Sequence, residues 1–264
     1  MRSEHAVSDT LLAVLRRAPL ENVVLLKFLL ASPEAATVHQ IVKGDDAATL
    51  LLLDHRFSDF DRETYPAASA SVLIASSRPE LTRDLLAFVP REQTLVFKLA
   101  SQADRLVVAE AFPLERRTAF LSYTATATAP LDAGANIETT TAKTPFELLA
   151  AQGHSAEWLG PLIESRRAFI SVLRDGPKPL SACFAFQIDG PVWEVGGVYT
   201  QPQERGKGLA YRVVRTALAE LQRRGHVARY QVAEENTASI RLAESLGMRR
   251  YLTLTHYLSA PDMP

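Results

Sequence analysis

The stretch VYTQPQERGKGLA (Val198–Ala210) sits between an extended apolar run, Val192–Thr200, and an amphipathic one, Gly208–Arg224, which Gly225 closes. That places it at a strand-to-helix junction. Gly206 and Gly208 lack a Cβ, so the backbone turns tightly there and a ligand can approach it closely. The helix that follows offers unpaired N–H groups and the positive end of its dipole. Arg205 and Lys207 add positive charge. The combination is an anion site suited to a pyrophosphate. Two familiar phosphate motifs fail here. A Walker A loop needs Ser or Thr after Gly-Lys, but Gly206-Lys207 is followed by Gly208; a dinucleotide fingerprint needs a third glycine where Tyr211 stands.

Outward from the loop, turns at Asp175-Gly176-Pro177 and Asp189-Gly190-Pro191 separate strands Ala168–Leu173, Leu180–Ile188 and Val192–Thr200. Helices are expected over Pro145–Ala151 and Ala156–Ser165, and a short strand over Ile137–Thr141. After the amphipathic helix come strand Val227–Val232, helix Asn236–Leu246 closed by Gly247, and strand Met248–Leu258. The first half reads similarly. Helices to Arg17 and over Leu20–Ala31 precede strands Thr37–Val42, Ala48–Asp54 and Ser71–Ser76; then come a helix from Arg78-Pro79-Glu80 to Phe88, strand Thr94–Leu99, helix Gln102–Ala111 and strand Thr118–Thr124. Both halves follow one order: helix, helix, three strands, helix, strand, helix, strand. Between them TATATAPLDAGANIETTTAKTP (Thr124–Pro145) offers little to bury, and a domain boundary is expected near 125–136.

With the loop and order in place, the second half resembles the GNAT superfamily of acetyl-CoA-dependent N-acetyltransferases. Gln203-x-x-Gly206-x-Gly208 matches its Q/R-x-x-G-x-G/A signature, and Val198–Pro202 is similar to the end of its fourth strand. Asn236-Thr237-Ala238-Ser239-Ile240-Arg241-Leu242 resembles its N-x-x-A/S-x-x-L helix, which here ends in Leu246-Gly247-Met248. The resemblance covers roughly residues 137–258. It implies an α/β fold with a mixed, mostly antiparallel sheet flanked by helices, a splayed central strand pair in the C-terminal half, and acetyl-CoA or another acyl-CoA as co-substrate without a metal. It further implies that Gln203, Glu204, Arg205, Gly206, Lys207, Gly208, Leu209 and Ala210 cradle the pyrophosphate. Backbone groups near Val198 and Thr200 would pair with the pantetheine arm. Asn236 and Ser239 would lie beside that arm, and Asn236 also reads as a helix N-cap.

Acetyl transfer to an amine needs a neutral amine, a polarised carbonyl and a proton for the leaving thiolate. Fourth-strand amides can polarise the carbonyl. Glu194, upstream of the loop, is the candidate base, and also reads as a salt-bridged strand residue. Gly196 and Gly197 leave room beside it and fit a bulge. Many relatives place a tyrosine one residue after the Leu of the N-x-x-A/S-x-x-L helix; Ala243 stands there. Tyr211, Tyr251, His256 and Tyr257 are the alternatives as proton donor, and water is another. Cys183 reads as a buried structural thiol. His154 lies where relatives build the acceptor pocket and also reads as an ordinary loop histidine before a helix cap, and Trp158 reads as core rather than as an acceptor contact.

The first half has Ser76-Ser77-Arg78-Pro79-Glu80-Leu81 at the corresponding junction, with no glycine, one amide removed by Pro79, and negative charge from Glu80. It is expected not to bind CoA. The expected organisation is a degenerate, non-catalytic GNAT-like domain at 1–127 and a catalytic domain at 137–264, in a monomer or homodimer. The acceptor is an amine of a small molecule or peptide, attacked directly in a ternary complex. A non-catalytic acyl-CoA sensor or scaffold is the alternative, kept open by Ala243.

The rest of the composition is restrictive. The 264 residues, 47% hydrophobic and 22% charged, exclude a disordered or fibrous chain. A net charge of −1 gives no electrostatic case for nucleic acid or anionic membrane. One cysteine forms no internal disulfide, and no Cys/His spacing suits zinc. The start MRSEHAVSDTLLAVLRRAP lacks the pattern of an export signal, and no apolar run reaches spanning length. A cytoplasmic protein is expected. Twenty-three arginines against six lysines fit a GC-rich, bacterial genome and carry no chemistry.

Overall fold

The computed structural model describes residues 8–125 and 130–261, so residues 1–7 of the N-terminal stretch, 126–129 of the expected boundary and 262–264 lie outside it. The described residues form two compact units. Unit 1 comprises residues 8–120 and 252–261, and unit 2 is Leu121–Tyr251. The first half of the chain contains α1 (Asp9–Leu15), α2 (Val23–Ala31), β1 (Ala36–Lys43), β2 (Asp46–Asp54), α3 (Asp59–Thr64), β3 (Ala70–Ser76), α4 (Pro79–Leu85), β4 (Leu95–Leu99), α5 (Gln102–Ala109) and β5 (Glu115–Thr124). The second contains β6 (Ala135–Glu138), α6 (Phe146–Ala150), α7 (Ala156–Glu164), β7 (Ala168–Asp175), β8 (Lys178–Asp189), β9 (Val192–Thr200), α8 (Leu209–Arg223), β10 (Val227–Ala233), α9 (Thr237–Ser245) and β11 (Arg249–Ser259). The expected common order is present in both halves, with α3 inserted in the first and β6 preceding the second. At six residues, α3 is too short to show a period; its start is marked by Ser58, whose Oγ accepts from the Asp61 amide at 3.3 Å.

In unit 1, β1, β2 and β3 are antiparallel neighbours, β3 runs parallel to β4, and β4 pairs antiparallel with β11. This last pairing corrects the domain expected at 137–264. Thr255–Ser259 lie opposite Leu99–Leu95, so the chain from Leu252 on belongs to unit 1. Conversely, Leu121–Thr124 of β5 belong to unit 2. Alternation along a strand fixes which face is buried but does not identify its neighbour, so the exchange leaves no local sequence mark.

The packing of unit 1 encloses a polar network. The Asp61 carboxylate accepts from Lys98 Nζ at 2.7 and 2.6 Å and from Ser71 Oγ at 3.1 Å, and His55 Nε2 lies 2.9 Å from that Oγ. Tyr65 Oη lies 2.9 Å from His256 Nδ1. All of these residues are buried. Burial, and secondarily the Lys98 charge, pushes the His256 imidazole down to about 3; burial lowers His55 as well. Folded His256 therefore stays neutral at pH values where the unfolded chain is protonated. Its contribution is present in full above the unfolded pKa and is lost as pH falls from there toward 3. Urea unfolding should show stability about 2–3 kcal/mol lower at pH 4.5 than at pH 7 from this group alone. Equal stability at the two pH values would contradict a neutral buried imidazole.

In unit 2 the strand order is β5-β10-β9-β8-β7-β6. β9 to β6 are antiparallel neighbours, and β10 is parallel to β9. Period-2 alternation gives this sheet two distinct faces. Tyr123, Phe169, Cys183, Ala185, Trp193, Val195 and Tyr230 form a core with Val213, Val214, Ala217 and Leu221 of α8. Ser122, Phe184, Phe186, Glu194 and Arg229 alternate with those core residues and occupy the other face.

The segment expected as an uncommitted boundary is fastened where it is described. Asp132 accepts from Arg212 Nε at 2.9 Å and Nη2 at 2.7 Å, and from Arg215 Nη2 at 3.0 Å. These arginines hold its carboxyl well below the usual range, Arg212 foremost. A low-complexity composition conceals this because one aspartate suffices, and its partners lie some eighty residues away.

Candidate active site

β9 and β10 are paired only from Val192↔Val227 to Val195↔Tyr230, whereas β9 continues to Thr200 and β10 to Ala233. This is the expected splayed pair. On the other side of β9, Phe184 faces Gly196 but Ala182 faces Tyr199, so β9 carries one extra residue between these partners. That is a bulge. Gly197 adopts φ +59°, and a Cβ there would run into the Phe184 ring and lie 3.0 Å from His154 Cδ2. Glycine at position 197 is thus required by both conformation and space.

Beyond the bulge, the Ser181 hydroxyl lies 2.8 Å from Thr200 Oγ1 and donates to the Tyr199 carbonyl at 3.1 Å. Arg205 Nε donates to the Thr200 carbonyl at 3.2 Å, and its guanidinium lies over the Tyr199 ring. Lys207 pairs with Glu204 at 2.9 Å, and Gln203 Nε2 donates to Gln201 Oε1. The Arg205 side chain therefore braces the strand end before the loop, and the other side chains pair among themselves. Gly206 and Gly208 have φ +78° and +73°, and a Cβ on either would meet nothing within 4 Å, so the space in front of the turn is open. Gly208 caps α8, whose first residues are Leu209 and Ala210. A turn of this shape at the start of a fifteen-residue helix fits a pyrophosphate, because the positive end of the helix lies beside open space.

Asn236 caps α9: its Oδ1 accepts from the Ser239 amide at 3.0 Å. Burial raises the pKa of the Tyr230 hydroxyl, with the Ser239 side chain opposing. Ala243 is fully buried in the core, so the position where relatives carry a tyrosine faces packing. Cys183 is also fully buried, and desolvation pushes its thiol well above the usual range, which leaves no thiolate poised for attack.

Glu194 forms a short ion pair with Arg229, its direct neighbour across the parallel pair. Arg229 is fully buried, and its Nη2 also reaches Ser122 Oγ at 3.4 Å. The Tyr251 hydroxyl is buried within electrostatic range of Arg229 and Glu194 and makes no direct hydrogen bond; burial raises its pKa, with Arg229 opposing. Of the four alternative proton donors, Tyr251 alone falls within this cluster. His256 and Tyr257 belong to unit 1, and Tyr211 lies on α8 against Arg215. Sequence reasoning missed Arg229 and Ser122. The available signal was an arginine in the apolar strand Val227–Val232, where an unpaired charge would be costly.

Trp158, read as core, is instead 43% exposed. It stands at the start of α7 with its ring against Phe184 and Phe186, and its neighbour His154 packs edge-on to Phe184.

Residues 138–248, which include this loop, Glu194 and Arg229, match the family described as Acetyltransferase (GNAT) family. A mycothiol acetyltransferase from Thermobispora bispora is 48% identical over 65 residues, a match spanning 24% of this chain and 22% of that relative's length. Among solved structures, an acetyltransferase from the GNAT family of Colwellia psychrerythraea superposes with a TM-score of 0.61 at 13% identity, covering 98% of this chain and 100% of the other. A tandem GNAT protein from the clavulanic acid biosynthesis pathway gives 0.52 at 15% identity, covering 92% and 89%. These two likenesses establish the fold, a mixed α/β architecture with mostly antiparallel strands flanked by helices. Among the described residues, no helix is long and apolar enough to cross a membrane.

Proposed function

We propose that this chain is an N-acetyltransferase that moves an acetyl group from acetyl-CoA to an amine by direct attack in a ternary complex, with its chemistry confined to unit 2. The observation that carries this reading is the splay and bulge of β9, lying between the open Gly206–Gly208 turn and the Glu194 carboxylate. Acetyl-CoA supplies the activated acetyl thioester. The amides from Gln203 to Ala210 hold its pyrophosphate, and backbone groups of Val198 and Thr200 take the pantetheine arm as an added strand. The amides of β9 just past the bulge polarise the thioester carbonyl. Glu194, oriented by Arg229, accepts the amine proton directly or through one water, and the departing thiolate takes a proton from solvent. The likeness to a mycothiol acetyltransferase supports acetyl as the transferred group. Unit 1 takes no CoA in this reading, because Pro79 and Glu80 stand where pyrophosphate would need amides.

The test is thiol release from acetyl-CoA across a panel of amines, run beside thermal unfolding with acetyl-CoA. Amine-dependent release together with a raised Tm supports the reading. A raised Tm without release for any amine would favour a non-catalytic acyl-CoA sensor, and an unchanged Tm at millimolar acetyl-CoA would contradict both.

A further inference from the structure

We propose that the acceptor is a primary monoamine carrying an aromatic ring, seated against Trp158 with its amino group directed to Glu194; this rests on the acetyltransferase reading above. Four rings form one wall. Trp158 lies 5.6 Å from Phe184 and 5.3 Å from Phe186 by centroid, both edge-on, and His154 lies 4.7 Å from Phe184. Phe184 and Phe186 are buried beneath, whereas the indole is 43% exposed. The wall adjoins the reacting groups. Phe186 is the cross-strand partner of Glu194, so ring and carboxylate project side by side from one face. His154 abuts Gly197, at the bulge where the carbonyl would be polarised. Ser155 Oγ accepts from the Trp158 amide at 3.3 Å, which fixes the start of α7 and the place of the indole.

Charge narrows the ligand further. Glu194 is ion-paired to Arg229, so the carboxylate beside the wall is already met by a positive charge, which does not favour a polycation such as a polyamine. What it offers is a planar apolar surface with ring edges and faces, which suits the ring of an arylalkylamine.

The experiment compares kcat/KM for 2-phenylethylamine and spermidine with saturating acetyl-CoA, using the full chain, Trp158→Ala and Trp158→Phe. The aromatic amine should be preferred by about 100-fold, Trp158→Ala should raise its KM about tenfold or more, and Trp158→Phe should restore most of the loss. Acetyl-CoA affinity should be the same in all three proteins. Addition of 2-phenylethylamine to the CoA complex should also shift the indole fluorescence of the wild type and not that of Trp158→Phe. Equal or better use of spermidine, or an unchanged KM in Trp158→Ala, overturns this proposal and leaves the acetyltransferase reading standing. Failure to bind acetyl-CoA at all overturns both.

Discussion

Replacing Glu194 by glutamine lowers kcat/KM for amine acetylation by about 10²–10⁴-fold, the range expected when a positioned general base is removed. Acetyl-CoA affinity stays within a few-fold of wild type, since the phosphate loop and the far end of β9 do not involve this side chain. The amide keeps the shape of the carboxyl group but cannot take a proton from the attacking amine. Raising the pH toward the amine's own pKa supplies neutral amine from solvent and recovers part of the loss. Steady-state kinetics over that pH range checks both points. Full activity at neutral pH would remove Glu194 from the chemistry and leave it as the partner of Arg229.

The second large effect belongs to that partner. Arg229 is fully buried and ion-paired to Glu194, with Ser122 as its further contact. Arg229→Met leaves the Glu194 carboxylate, only 13% exposed, without its counter-charge. Breaking a buried pair in this way costs about 3–5 kcal/mol. The double variant Glu194→Gln/Arg229→Met removes both charges and should recover much of that stability while remaining inactive. Urea unfolding of the two single variants and the double one measures the coupling. Equal loss in the double and in Arg229→Met would mean that the pair is not the source of the cost. The same cycle separates the catalytic effect of Glu194→Gln from a folding defect.

Much of the second half was legible because its signals are local. The bounds of β9 match Val192–Thr200, and the glycine pair Gly196-Gly197 marks the bulge; Gly206 and Gly208 take the left-handed conformations that their type allows. Asn236 caps the helix it was expected to cap. What stayed hidden depends on pairing across long separations. Arg229 shows in the sequence as a charge within an apolar strand, but its partner appears only when the parallel register sets it beside Glu194, thirty-five residues earlier. β11 shows alternation but not its partner, so its membership in unit 1 could not be read from residues 249–259. Trp158 looks like core on composition, and only the placement of α7 over Phe184 and Phe186 leaves its indole exposed. Asp132 sits in a stretch without apolar period, where one acidic side chain and two distant arginines do the anchoring.

The central claim is that the turn from Gln203 to Gly208 holds acetyl-CoA, and calorimetric titration of acetyl-CoA into wild type and Gly206→Glu tests it most directly. Gly206 has φ +78° and stands before open space, so a glutamate there adds backbone strain and places a negative charge where the pyrophosphate would lie. The prediction is saturable one-site binding to wild type and no measurable heat for a variant that still unfolds cooperatively. Equal affinity in both proteins, or no binding to wild type at millimolar acetyl-CoA, would contradict it.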